Sequence, residues 1–266
     1  MRRNSMLVLA LGAALAVAFA AVATAKFETF QAGNLVLKVD GGVSPKTLPK
    51  KTYAPVTVNV KGKISTKDGT HPPAFREGVI DFDKNGKIDT KGLPVCKGNQ
   101  LEARTTTSAK QVCGKSVVGS GNGLIQIAFP EQAPIPVKSP ITVFNGGTKG
   151  GKTTLYIHAY ITVPVPSAVV TTVTIKKVSK GRYGLSSVAK VPVIAGGSGS
   201  VLEFNINFGK KYNYKGKKKS YIVARCTDGR FNAKVISADF FNEDGDGPRD
   251  KTTLSGTVIR PCTPKG

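Results

Sequence analysis

Leu155, Ile157, Ala159, Ile161 and Val163 alternate strictly with Tyr156, His158, Tyr160 and Thr162. A second stretch sets Leu202, Phe204, Ile206 and Phe208 against Glu203, Asn205 and Asn207. A period of two is what a strand buried on one face requires, whereas an amphipathic helix repeats every 3.6 residues. Further apolar, β-branched runs occur at 35–39, 56–60, 124–129, 169–178, 221–226, 235–241 and 257–260. Between them stand turn signals such as Asn85-Gly86, Asn145-Gly146-Gly147 and Gly196-Gly197-Ser198-Gly199. About ten short strands at this spacing predict an all-β fold, an antiparallel β-sandwich. One short helix is predicted over 108–113, with Ser108 and Gln111 as a capping box and Gly114 at its end.

The first 25 residues stand apart from this pattern. Arg2 and Arg3 precede an apolar run from Met6 to Val22, and Ala23-Thr24-Ala25 has the small-x-small form of a signal-peptide cleavage site. The expectation is export, with residues 26–266 as the secreted chain. Cys96, Cys113, Cys226 and Cys262 all fall in that part. An even cysteine count in an oxidising compartment favours disulfides over a zinc site, and no C-x-x-C spacing occurs. Of the three pairings possible, nearest neighbours in sequence give Cys96–Cys113 and Cys226–Cys262. Residues 26–266 are read as one domain; the proline-rich segment 130–140 is the alternative place for a division into two.

Several motifs look like chemistry. The run 146–153, GGTKGGKT, fits the spacing of a phosphate-binding loop, but the strand-like stretch that follows cannot present a helix N-terminus to a phosphate. Asp81, Asp83, Asn85, the carbonyl of Lys87 and Asp89 follow the ligand spacing of a calcium loop with Gly86 at its turn. The twelfth position is Gly92 where such a loop carries a bidentate Glu, and a hairpin turned at Asn85-Gly86 explains the same residues. No nucleophile elbow or zinc-protease motif occurs, so no catalytic residue is assigned. His158 between Tyr156 and Tyr160 reads as part of a packed sheet face more readily than as a ligand groove.

Charge is the strongest functional signal. The chain carries 39 Lys+Arg against 16 Asp+Glu, a net charge of +23. Between residues 103 and 238 there are 20 Lys+Arg and only three acids, Glu131, Glu203 and Asp228. Within that span Lys210, Lys211, Tyr212, Tyr214, Lys215, Lys217, Lys218 and Lys219 form a basic, aromatic-bearing hairpin tip. Such a tip attracts polyanions by counterion release and can stack tyrosines on bases or sugars; it can also serve only to keep a sheet edge from pairing.

The stretches Gly92-Leu93-Pro94-Val95-Cys96, Cys113 through Gly121, Phe144-Asn145-Gly146 and Tyr221 through Cys226 together resemble a group of exported actinobacterial proteins with no assigned activity. The likeness spans roughly residues 80 to 230 and implies export and the same two-part cysteine layout. The expected function is therefore non-enzymatic binding of anionic polymers or envelope surfaces, without a cofactor. The alternatives are an envelope module stabilised by calcium at 81–89 and a secreted hydrolase that depends on His158.

Overall fold

The computed structural model describes residues 27–244 and 247–266; the export segment 1–25 lies outside them. Twelve strands make one sheet: β1 (Glu28–Ala32), β2 (Leu35–Ser44), β3 (Thr57–Thr66), β4 (Ala74–Asp83), β5 (Val117–Ile127), β6 (Ile135–Lys149), β7 (Lys152–Ile161), β8 (Ser167–Lys180), β9 (Tyr183–Lys190), β10 (Gly199–Phe208), β11 (Arg230–Asp244) and β12 (Gly247–Pro261). Their order is β1-β2-β3-β10-β5-β6-β7-β8-β9-β4-β11-β12, with every neighbouring pair antiparallel. Strands from both sides of the 130–140 segment interleave in this order, and residues 128–134 are simply the connection between β5 and β6.

The fold is all-β and antiparallel with one short helix, as the alternation predicts. The two packed walls belong to one sheet that curves until its edges meet. At that seam the Phe30 ring of β1 occupies the space a side chain on Gly256 of β12 would need. Arg260 of β12 reaches Glu28 of β1 at 3.1 Å and Asp40 of β2 at 2.8 Å. Near-closure of this kind removes the exposed edges that make long sheets prone to aggregate. Inward-facing residues form two apolar clusters, one around Ile125, Ile141, Leu155 and Val173, the other around Leu37, Ile64, Phe240 and Leu254; Val201 packs against both.

The helix, α1 (Thr106–Cys113), starts two residues earlier than the sequence reading placed it. Its N-cap is Thr105, whose hydroxyl accepts from the Ser108 backbone N–H at 3.2 Å. Ser108 is thereby inside the first turn, where its own hydroxyl takes a bond from Arg104.

Candidate functional site at the capped end

Antiparallel order sends alternate connections to opposite ends of the barrel, and the two ends differ. One carries the long segments 45–56, 84–116 and 209–229, the turns 150–151 and 181–182, and the tail 262–266. These segments fold into a cap. Within it 222–224 pairs with 86–88 and 54–55, and 263–265 pairs with 47–49. Both disulfides lie in this cap, in the pairing expected from sequence: Cys96–Cys113 closes a loop within segment 84–116, and Cys226–Cys262 joins 209–229 to the tail. Two such bridges point to an oxidising environment. The other end has only shorter connections: 33–34, 67–73, 128–134, 162–166 and 191–198 among the described residues.

Charge follows the same division. The cap segments hold 19 Lys+Arg against three acids. The described connections at the opposite end hold one Lys and two acids. The protein is thus polar along its axis, which net charge alone does not reveal.

The 210–219 stretch lies in this cap as a hairpin, with strands Lys211–Tyr214 and Lys217–Ser220. Lys211, Lys215, Lys217 and Lys218 are exposed. The other expected members are engaged in holding the hairpin down. Tyr212 donates its hydroxyl to the carbonyls of Asp89 and Lys91, at 3.2 and 3.0 Å. The Tyr214 ring covers Gly92, a residue at φ 87° with no room for a side chain. Lys219 pairs with Asp89 at 2.7 Å, which raises the Lys219 ammonium above its ordinary value. Burial pushes the Asp89 carboxyl up, but the bonds from Lys219 and the Lys91 N–H outweigh it and hold it low. Lys210 donates to the Lys115 carbonyl at 2.6 Å, and its partial burial lowers its pKa. The tyrosines therefore act as anchors and not as free stacking platforms; four lysines remain as the outward-facing cations.

The residues with calcium-loop spacing have other partners. Asp81 pairs with Lys180 at 2.9 Å. Asp83 takes Arg182 at 2.8 Å and the N–H groups of Asn85 and Asn232, while Asn85 Oδ1 accepts from Arg225 at 3.2 Å. Each of these oxygen-bearing side chains thus meets a cation supplied by another segment: Lys180 joins β8 to β4, Arg182 joins the cap to β4, and Arg225 joins two cap segments. Lys87 extends over the Tyr53 ring, 3.9 Å from its centre. Residues 84–85 form no hairpin: the chain leaves the main sheet there, and 86–88 pairs with 222–224 instead of returning along β4. Among the described residues no three His, Cys, Asp or Glu side chains gather as a metal-holding group.

The 146–153 run is a strand end, a two-glycine turn and the start of β7, with no helix behind it. His158 is fully buried, edge-on to Phe144, and its Nε2 lies 2.9 Å from the Arg104 carbonyl. A carbonyl only accepts, so Nε2 carries the proton. Burial holds this imidazole below its ordinary pKa, and its role is to seat the segment before α1.

Fold and site together define a disulfide-capped, nearly closed antiparallel barrel with one basic end. Compared with known protein families, curated proteins and solved structures, the chain has no match in any of the three. No helix among the described residues is long and apolar enough to cross a membrane.

Proposed function

We propose that this is an exported, non-catalytic barrel that docks through its basic cap on anionic polymers or anionic envelope surfaces. The observation that carries the reading is the segregation of charge: 19 cations against three acids on one end, one against two on the other. A cation-rich end orients the molecule in the field of a polyanion and raises its rate of encounter. Residues 210–219 contain six Lys and no Arg, which suits diffuse neutralisation by point charges over bidentate recognition of one group. Anchored tyrosines support electrostatic attraction in preference to base stacking. The test is retention of residues 26–266 on teichoic acid, heparin and DNA over a salt series. Steep salt dependence with preference for one polymer is expected. Release from all three at roughly 0.15 M salt, where screening acts over about 8 Å, overturns the reading.

A further inference from the structure

The barrel interior contains a cavity of about 410 Å³. Ligand sites occupy roughly 300–1,000 Å³, whereas close-packed interiors leave few voids larger than a water. The wall is drawn from both apolar clusters and is almost wholly aliphatic and aromatic: Ile125, Ile141, Ala159, Val173 and Phe204 are among its residues. A dry apolar void is a receptor for apolar molecules, because water finds no partners in it.

Its two ends are not alike. At the capped end the lining includes Tyr221; it is 0% exposed, so its hydroxyl is out of reach of a molecule in the lumen, and that hydroxyl has no hydrogen-bond partner. A buried phenol ordinarily finds one. Burial also pushes this phenol well above its ordinary pKa, so it adds no charge beside the lumen. The cations that line the same cavity are already held: Lys87 by the Tyr53 ring, Arg260 by Asp40 and Glu28. A neutral molecule therefore suits this lining better than a carboxylate does. At the uncharged end the cavity reaches Val191 and Ile194 in the 191–198 connection. Around that end Val163, Val165 and Val193 are exposed, so the surface there is apolar where the cap is basic.

We propose that the lumen binds one neutral, unbranched alkyl molecule. Its chain lies along the apolar barrel wall. At the ~30 Å³ a water occupies in the liquid, the space holds about a dozen non-hydrogen atoms.

The experiment is calorimetric titration of the whole exported chain with straight-chain 1-alkanols from hexanol to tetradecanol. The dissociation constant falls about fourfold per added methylene and levels near dodecanol. Ala159→Leu moves the plateau about three carbons shorter, since it adds three carbon atoms to the lumen wall. Two results overturn the proposal: no saturable binding, or a plateau unmoved by Ala159→Leu. Polyanion retention of the same variant is read separately, so failure here and failure of the basic-end reading are distinguishable.

Discussion

Ala159 sits on β7 opposite Ile141 of β6 and Val169 of β8, and all three line the lumen. Replacing it with Leu tests whether that lumen is open space or packed core, because the two cases differ in sign. If the space is open, the three added carbons are buried at about 0.8 kcal/mol each. Fixing the new side chain costs about 0.5–1 kcal/mol of rotamer entropy. The net gain is about 1.5 kcal/mol, which at ~2–4 °C per kcal/mol for a chain of this size raises Tm by about 3–6 °C. In a close-packed core the same change forces neighbours off their rotamers and costs about 1–3 kcal/mol. The assay is calorimetric unfolding of wild type and Ala159→Leu after bound apolar molecules are stripped on a hydrophobic resin. A Tm that falls by several degrees refutes the open lumen.

Gly92→Ala forces a side chain into the Tyr214 ring at a positive φ. It costs about 1–3 kcal/mol and speeds amide exchange over 211–220, while exchange in β6 and β7 is unchanged. His158 is held neutral below the ordinary 6.5, and its buried Nδ1 has no partner. Its contribution is thus present above pH 6.5 and is lost as pH falls from there through the lowered folded value, because only the unfolded chain then takes up the proton. Wild type loses up to about 1.4 kcal/mol per pH unit in that window, and His158→Gln lacks this increment in melts between pH 7.5 and 5. Arg260→Met leaves Asp40, 7% exposed, without its cation; denaturant unfolding shows a loss of about 3 kcal/mol. The double variant Arg260→Met/Asp40→Leu recovers part of it, because no unpaired charge is left buried.

Much of the local structure was legible in the sequence. Alternation over 155–163 and 202–208 marks strands because a half-buried strand admits no other pattern. The cysteine pairs follow from proximity in the chain, and α1 from its polar start and terminal Gly114. The errors at this level are short-range: Thr105 caps α1 because its hydroxyl reaches the Ser108 N–H, and Asn85-Gly86 leads into the cap because 222–224 supplies the pairing partner. What the sequence did not disclose is non-local. β10 lies between β3 and β5, and β4 between β9 and β11, pairings with no local signature. Cap cations are scattered over segments 45–56, 84–116 and 209–229, so their convergence on one end appears only once the strand order is known. The lumen was equally hidden, since an inward valine reads the same whether it faces another side chain or a void. Tyr221 reads in sequence only as the start of the 221–226 run, and its complete burial appears only in the structure.

The central claim is that the molecule meets anions with its capped end and not merely with its net charge. Two variants remove four exposed lysines each. One changes Lys211, Lys217 and Lys218 to Gln and Lys215, at φ 52°, to Asn, which tolerates that conformation. The other changes Lys38, Lys67, Lys138 and Lys190, all away from the cap, to Gln. Both lower the net charge equally. The measurement is the slope of log K against log salt on the polymer that wild type prefers. If each cap lysine neutralises one phosphate, at ~0.7–0.9 per phosphate the slope of the cap variant falls by about 3, while the other keeps the wild-type slope. Equal loss in the two variants contradicts the account.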